Sequence, residues 1–247
     1  MDRFLYIAMN GASNALYAQQ TNANNLANVS TVGFKAELDR FQSQPVYGPG
    51  HPSRAYASDE QAGIDFAQGA LMTTGRQLDV ALNGDGWFAV QAADGSTAYS
   101  RRGDLHIDPT GLLLDGAGRV MLGEGGPVTL PDFETLTIGR DGTISIRATG
   151  QAANTLVAVD RLLMVKPERE NLVRGEDGLF RTRDGQPAAP DASVTLTQGA
   201  LEASNVNTVD TMVKMMEYAR FYETQVKLMK VADETDASSS RLMRMSG

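Results

Sequence analysis

The chain has 247 residues, of which 42% are hydrophobic and 21% charged, and its formal net charge is −8. This length is compatible with one or two domains, and the hydrophobic fraction is typical of a globular protein rather than a disordered one. The negative charge disfavours a nucleic-acid partner held mainly through phosphates, because that affinity depends on clustered Lys and Arg, and the sequence has no such cluster. The absence of cysteine excludes disulfides, thiolate metal sites and cysteine nucleophiles.

The first residues, MDRFLYIAMNGAS, lack both the long apolar run and the positive charge of a secretory signal. Nowhere do eighteen apolar residues follow one another, as a membrane-spanning helix would require. We therefore expect a chain with no cleavable signal peptide and no membrane span.

The first element predicted is a helix whose sequence, from Phe4 to Phe34, contains no Asp, Glu, Lys or Arg. Its Asn residues and Gly11 lower its intrinsic helix propensity, so we expect it to become ordered when neighbours surround it. One stripe of this segment repeats with spacings of three and four residues, which is typical of a packed helix pair or bundle. That stripe consists of Leu5, Ala8, Ala12, Ala15, Gln19, Asn22 and Leu26.

The next segment, 41–69, is predicted to be an irregular connector. Pro and Gly residues are concentrated in it, including Pro45, Pro49 and Pro52, and both residue types interrupt regular structure. Residues 70–199 then show short β-branched and aliphatic runs, such as WFAVQA and TISI, separated by turn residues. Six Asp-Gly pairs in this region favour tight hairpins, and they begin at Asp85, Asp94, Asp115, Asp141, Asp177 and Asp184. We expect a mainly antiparallel β domain.

A second helix is predicted from Val206 to about Ala237, within a C-terminal segment 200–247. Asn207 or Thr208 is expected to be its N-cap, and Asp210 places a negative charge in its first turn. One stripe again steps by three and four residues, interrupted at Glu223, and consists of Val209, Met212, Met216, Ala219 and Val226. Other apolar residues widen this stripe until the polar face is narrow, so something besides the first helix is expected to cover it. The alternative is an ordinary two-helix stalk.

The predicted fold class is therefore α+β, with long N- and C-terminal helices and a central, mainly antiparallel β domain. Its predicted segments are 1–40, 41–69, 70–199 and 200–247.

Five segments of the chain resemble the flagellar basal-body rod and hook family. NANNLANVSTVGFKAE (22–37) is similar to the family's N-terminal motif, and the segment QGALEASNVNTVDTMVKMMEYARFYETQVKLM (198–229) is similar to its C-terminal motif. Between them, LDVALNGDGWFAVQ, AYSRRGD and DGLFRTRDGQ resemble the family's β region. The resemblance covers nearly the whole chain in the family's order.

The resemblance implies a non-enzymatic structural subunit of the rod, the shaft that crosses the periplasm and serves flagellum-dependent motility. The opening residues and length are most similar to those of a proximal rod subunit, with a distal rod subunit as the alternative. The implied partners are other rod proteins, copies of this chain and the flagellar type III export apparatus. The terminal helices would pack as an axial, coiled-coil-like pair that forms the assembly interface.

Within the N-terminal motif, Asn24, Asn25 and Asn28 are suited to bond backbone groups where the helix ends. Gly33 permits a turn that branched residues disfavour, after which Phe34 is directed towards a core. Together with Thr31 and the two helical stripes, these residues make up the predicted assembly interface.

Catalytic and cofactor chemistry has little support. The only histidines are His51 and His106, and a triad of Ser100, His106 and an Asp lacks a nucleophile elbow. No spacing indicates a metal site, a P-loop or a dinucleotide fold, so no cofactor, metal or small-molecule substrate is expected. The competing functions are a periplasmic binding module carried on a helical stalk and a hydrolase.

Overall fold

The computed structural model describes residues 2–45, 55–150 and 156–245, and its contacts divide the chain into two units. Unit 1 consists of Met1–Val29, Ala36–Asp65 and Val206–Gly247. Unit 2 consists of Ser30–Lys35 and Phe66–Asn205. Each unit therefore combines segments that are far apart in the sequence, whereas the sequence analysis predicted four consecutive segments.

Unit 1 contains two long helices, α1 (Asp2–Ala27) and α2 (Thr208–Met245). Asn207 is the N-cap of α2, as the sequence predicted, because its Oδ1 accepts hydrogen bonds from the backbone N–H groups of Val209 (3.0 Å) and Asp210 (3.2 Å). The helix continues beyond the predicted end at Ala237. The serines that follow do not stop it, since the Ser238 hydroxyl donates to a backbone carbonyl one turn earlier, at 2.8 Å.

Two strands of unit 1 correct the prediction of an irregular connector. Strands β1 (Glu37–Pro45) and β2 (Ala55–Ile64) pair antiparallel, with Glu37 opposite Ile64 and Pro45 opposite Ala55. Pro45, one of the residues behind the prediction, is the last residue of β1, and both strands of a two-stranded sheet are edge strands, in which proline is tolerated. Residues 46–54 of the predicted connector lie outside the described residues.

Unit 2 contains short strands and a single turn of 3₁₀ helix, Arg169–Asn171. Every pair among the described strands of this unit is antiparallel. The strands are β3 (Leu71–Thr73), β4 (Val80–Asn83), β5 (Trp87–Gln91), β6 (Thr97–Ser100), β7 (His106–Ile107), β8 (Leu113–Leu114), β9 (Val120–Gly123), β10 (Gly126–Pro127), β11 (Phe133–Ile138), β12 (Thr143–Ala148), β13 (Val157–Arg161), β14 (Met164–Val165), β15 (Leu172–Arg174), β16 (Phe180–Thr182), β17 (Thr195–Gln198) and β18 (Ala200–Glu202).

The largest sheet has the order β15-β16-β6-β5-β9-β8-β7, with β10 paired to β9 and β14 paired to β5. A second sheet has the order β11-β12-β13, and two further pairs join β17 to β4 and β18 to β3. Most neighbours in the two larger sheets are consecutive in the chain, as a series of hairpins predicts. The two pairs from the end of the unit are different, because β17 and β18 return to strands from its beginning. The fold class is α+β, as predicted.

The core of unit 2 follows from alternation along the strands. Ile144 and Ile146 of β12 are buried, whereas Thr143 and Ser145 between them are only partly so. In β4, Val80, Ala81 and Leu82 are all buried, so both faces of this strand are covered.

Aspartate turns connect several of the hairpins. Four of the six predicted Asp-Gly pairs place their glycine at positive φ, as at Gly95 and Gly142. At these two turns a hydrogen bond from the Ser96 hydroxyl lowers the pKa of Asp94, and one from the Thr143 hydroxyl lowers the pKa of Asp141. These carboxylates therefore stabilise their turns in the ionised form.

Candidate assembly surface and buried charge cluster

Helices α1 and α2 pack against each other through small residues. Ala8, Ala12 and Ala15 are 2%, 6% and 3% exposed. At Gly11 an added Cβ would lie only 3.0 Å from Cδ of Gln225, and further along the pair the Asn22 amide donates to the Thr211 carbonyl at 2.7 Å. The N-terminal part of α1 therefore meets the middle of α2, and its C-terminal part meets the start of α2. The two helices run antiparallel and approach closely.

Large apolar side chains of α1 lie on its outer surface. Leu5, Met9 and Leu16 fall on one side of this helix and are each about half exposed, and Tyr6 and Tyr17 are equally exposed. A helix pair normally buries its large apolar residues and leaves small ones outside, because buried apolar area drives the packing. In α1 this order is reversed.

The predicted stripe of α2 also lies on the outside. Val209 is 71% exposed and Met216 55% exposed, Met212 and Val226 are exposed as well, and Ala219 is half-buried. By contrast, α2 turns towards α1 the face that carries Thr211 and Gln225, which contact α1 directly. The two stripes predicted from the sequence therefore do not meet within one molecule.

The α1 stripe divides between the inner and outer surfaces. Ala8, Ala12, Ala15 and Asn22 are buried against α2, while Leu5 is exposed. The remaining two members, Gln19 and Leu26, are half-buried. The sequence pattern thus identified mainly the contact of α1 with its own partner helix.

Other residues on the α1-facing side of α2 follow the same helical spacing as Thr211 and Gln225. Met215, Tyr218 and Tyr222 are half-buried on that face. Burial raises the pKa of the Tyr218 hydroxyl, and the negative charge of Asp39 raises it further. In the sequence, these residues only widened the apolar stripe predicted for α2. The spacing of apolar residues therefore did not distinguish the face of α2 that contacts α1 from its outer face.

Of the three asparagines predicted to bond backbone groups, Asn25 and Asn28 do so with their side chains, whereas Asn24 Oδ1 accepts a hydrogen bond from the Asn28 side-chain amide at 2.8 Å. Asn25 and Glu37 make a reciprocal pair, in which the Asn25 amide donates to the Glu37 carbonyl (2.8 Å) and the Glu37 N–H donates to Asn25 Oδ1 (2.9 Å). The backbone N–H of Asn28 donates to the Asn24 carbonyl at 3.1 Å, and its side-chain amide donates to the same carbonyl at 3.0 Å. These contacts end α1 and join it to the start of β1.

Gly33 belongs to unit 2 and forms a turn that no other residue fits. Its φ is +68°, and an added Cβ would lie 2.5 Å from backbone atoms of Arg101. Its N–H donates to the Glu202 carbonyl at 2.8 Å. Thr31, which is half-buried, accepts a backbone hydrogen bond from Phe34 at 3.3 Å within the same turn.

Phe34 is buried under an arginine. It is 7% exposed, and the guanidinium carbon of Arg174 lies 4.6 Å from the centre of its ring. This distance is within the range of a cation–π contact. Gly33 and Phe34, which the sequence analysis assigned to an assembly interface, are thus engaged inside unit 2.

Three charged side chains form a buried cluster next to this turn. Lys35 and Glu202 are each 1% exposed and Arg101 is 3% exposed. Glu202 accepts hydrogen bonds from Lys35 Nζ at 2.7 Å, from Arg101 at 2.6 Å and from the Gly69 backbone N–H at 3.0 Å. Lys35 Nζ also donates to the Ala67 carbonyl at 2.7 Å. Glu202 therefore joins the first segment of unit 2 to its last.

Sequence reasoning missed the roles of all three residues. The signal was present, since Lys35, Arg101 and Glu202 occur in three of the segments that carry the family resemblance, GFK, AYSRRGD and QGALEASN. Charged residues are usually exposed, so a pattern analysis assigns them to the surface by default.

The arrangement gives no support to catalysis. His106 is exposed on β7, and the described residues include no group of three or more metal-ligating side chains placed to hold an ion. His51 lies outside the described residues. Among the helices described, none combines the length and apolar character needed to cross a membrane.

Three family models match the chain in its own order. The flagella basal body rod protein model matches residues 5–35, and the flagellar hook protein FlgE/F/G D1 domain model matches residues 81–146. The model for the C-terminal part of the flagellar basal body rod FlgEFG proteins matches residues 197–242. The first and third matches include Lys35 and Glu202, and the second includes Arg101.

Full-length relatives are similar throughout. The chain is 41% identical to the flagellar basal-body rod protein FlgF of Salmonella typhimurium over 252 residues, and 41% identical to FlgF of Escherichia coli over 253 residues. Each comparison covers 100% of both chains. The chain is 32% identical to the rod protein FlgG of Bacillus subtilis over 261 residues, a comparison that covers 95% of this chain and 96% of the relative.

Proposed function

The chain belongs to the flagellar basal-body rod protein family, within which it is most like FlgF, and we propose that it occupies the proximal rod. It is a structural, non-enzymatic subunit of the basal body. We propose further that it assembles through the outer faces of its helix pair. A distal position is the alternative. The partners are other rod proteins and further copies of this chain.

The observation that carries the proposal is the reversed order of residue sizes in the helix pair. Alanines fill the contact between α1 and α2, while Leu16 and Met216 are at least half exposed. Burying one such large apolar side chain contributes about 1.5–3 kcal/mol. Several of them on one surface are thus a strong driving force for association with neighbours.

Charge supports the same proposal. The segment from Phe4 to Phe34 has no charged residue, so neighbours can enclose α1 without burying an ion. α2 does carry charged residues, and two of them, Asp210 and Lys214, form an ion pair at 2.7 Å. In the assembled rod, α1 and α2 form an axial, coiled-coil-like pair with most of its apolar surface covered.

The mechanical role follows from the type of contact. One face of a subunit binds a different face of the next, and repetition of such a heterologous contact around a screw axis produces a filament. Close-packed interfaces resist compression, so torque passes through many contacts at once. The rod thereby transmits torque from the motor towards the hook and filament.

Location and export form the second part of the proposal. The chain works in the periplasmic part of the basal body and reaches it unfolded through the flagellar type III export apparatus. Family membership supports this, and the absence of cysteine suits a chain that crosses unfolded and folds without disulfides.

The test is one charge placed on the outer stripe of α2. Met216→Glu is expected to leave the isolated protein folded, because the side chain is 55% exposed. In cells it should abolish swimming and lower the amount of this chain in purified basal bodies by more than about tenfold, since burying an unpaired carboxylate costs several kcal/mol.

Thr224→Glu is the matched control, because Thr224 is an exposed residue on the polar side of α2. It should support normal swimming and normal incorporation. If Met216→Glu is also incorporated at the wild-type level, the proposed interface is wrong. Imaging of basal bodies with the chain labelled would separate a proximal from a distal position.

A further inference from the structure

Two methionines lie one helical turn apart on the outer stripe of α2. Met212 and Met216 are separated by four residues, so their side chains occupy the same face of the helix, and they are 50% and 55% exposed. Helix α1 packs against a different face, which carries Thr211 and Gln225. In the free subunit both methionines are therefore open to small molecules in solution.

A peroxide changes such a side chain in one step. A sulfur lone pair attacks one peroxide oxygen, the O–O bond breaks, an S–O bond forms and the second oxygen leaves as water. Sulfur loses two electrons, and the peroxide gains them. The flexible, apolar thioether thereby becomes a polar sulfoxide. The chain has no cysteine and hence no thiol of its own to reduce the product, so reversal requires a separate methionine sulfoxide reductase.

The oxidation changes the surface that the proposed function buries. As thioethers, Met212 and Met216 extend the apolar area formed by Val209 and Val213, which are also exposed. A sulfoxide oxygen is a hydrogen-bond acceptor, and its transfer from water to an apolar contact is unfavourable unless a donor is present. The oxidised subunit therefore matches an apolar neighbour less well. Its own fold is unaffected, because neither methionine is buried within the subunit.

We propose that Met212 and Met216 form a redox-sensitive modification site, at which oxidation by peroxide prevents assembly. A subunit with a sulfoxide at either position stays folded but is not incorporated into the rod, and reduction of the sulfoxide restores it. The effect on assembly rests on the proposed function. Preferential oxidation of these two methionines in the free protein does not.

The first measurement is the rate of oxidation at each methionine when the purified full-length protein is treated with hydrogen peroxide, followed by peptide mass spectrometry. Met121 and Met164 of unit 2 are 0% and 3% exposed, so they are buried references within the same molecule. Oxidation at Met212 and Met216 is expected to be at least about tenfold faster, because susceptibility follows exposure. The helical circular dichroism signal should stay unchanged. Equal rates at the four positions, or loss of the helical signal, would overturn the proposal.

The second measurement is a competition inside one cell between the wild-type chain and Met212→Leu/Met216→Leu. Leucine keeps the apolar volume of methionine and cannot form a sulfoxide. Both chains are expressed together in a strain that lacks its own copy, with and without hydrogen peroxide, and mass spectrometry gives their ratio in purified basal bodies. Oxidation of any other cell component affects both chains equally. Peroxide should enrich the leucine chain about twofold when half of the wild-type chain in the cell carries a sulfoxide at these positions, because that half is excluded.

Met72→Leu is the matched control, because Met72 is 48% exposed but lies in unit 2, outside the helix pair. In the same competition this chain should gain no advantage from peroxide. A peroxide-independent ratio for Met212→Leu/Met216→Leu, or an equal advantage for Met72→Leu, would overturn the proposed site.

Failure of the oxidation site is distinguishable from failure of the helix-pair interface. Incorporation of Met216→Glu is measured without peroxide. If this variant is excluded while the leucine chain gains no advantage from peroxide, only the oxidation site is wrong. If Met216→Glu is incorporated normally, the interface itself is wrong, whereas the oxidation rates of the free protein still stand.

Discussion

Glu202→Gln should destabilise unit 2 more than any surface substitution. The change keeps the shape of the side chain but removes the carboxylate that accepts hydrogen bonds from Lys35 and Arg101 at 2.7 and 2.6 Å. All three side chains are at most 3% exposed, and removal of one partner from a buried ion pair typically costs about 3–5 kcal/mol. For a domain of this size that is a large part of the total stability.

Urea unfolding followed by Trp87 fluorescence measures this loss. Trp87 is a suitable reporter because the Arg101 guanidinium carbon lies 5.6 Å from the centre of its ring. A loss of 3–5 kcal/mol should lower the midpoint by about 1–3 M urea, with the slope unchanged. Glu176→Gln, at an exposed position, should change the free energy of unfolding by less than about 0.5 kcal/mol.

The effects of substitutions within the cluster should not add. Once Glu202 is neutral, Lys35→Met removes a cation that has lost its carboxylate, so it should cost less than in the wild-type background. A coupling free energy above about 1 kcal/mol is expected for this pair. If Glu202→Gln is no more damaging than Glu176→Gln, or if the two cluster substitutions add, the cluster does not hold the unit together.

Three further predictions concern other parts of the chain. Gly33→Ala should lower the melting temperature of unit 2 by more than about 4 °C, because the new Cβ would lie 2.5 Å from Arg101 backbone atoms at a φ of +68°; an unchanged melting temperature would contradict the turn. Asn207→Ala should destabilise α2 by about 1 kcal/mol, since it removes two N-cap hydrogen bonds. Asn207→Asp retains the acceptor and should not destabilise the helix. Circular dichroism during thermal unfolding measures the stability of both variants. The pKa values of Asp94 and Asp141 are lowered in the folded protein. Their contribution to the free energy of unfolding is therefore complete above the unfolded-state pKa of about 4, and it is lost as pH falls through the lower folded-state values. The urea midpoint should therefore fall between about pH 5 and pH 3, and less so in Asp141→Asn.

Local rules accounted for much of the fold. The N-cap at Asn207 and the hairpin turns at Asp94 and Asp141 depend on residues close in sequence, so their chemistry can be predicted without tertiary contacts. The error at β1 and β2 has a local cause as well. The prediction treated proline and glycine as interrupting residues, but Pro45 and Gly63 lie within β1 and β2.

The candidate site was predicted less completely because periodicity does not identify the surface that an apolar stripe faces. The α1 stripe at Ala8, Ala12 and Ala15 turned out to face α2, while the α2 stripe at Val209 and Met216 faces outward. Both have the same spacing. The tertiary contacts of Thr211 with Asn22 and of Gln225 with Gly11 show which side of α2 is already occupied.

The sequence by itself determined the elements whose causes are local: two long helices, a β region of hairpins between them, and a charge-free first helix. It also contained Lys35, Arg101 and Glu202 within the family motifs. Only the tertiary structure brought these three charges together, because Lys35 and Glu202 are 167 residues apart and no short-range pattern encodes such a contact. Burial is likewise a property of the folded unit and not of any segment. It makes each of these charges strongly destabilising unless its partner is present.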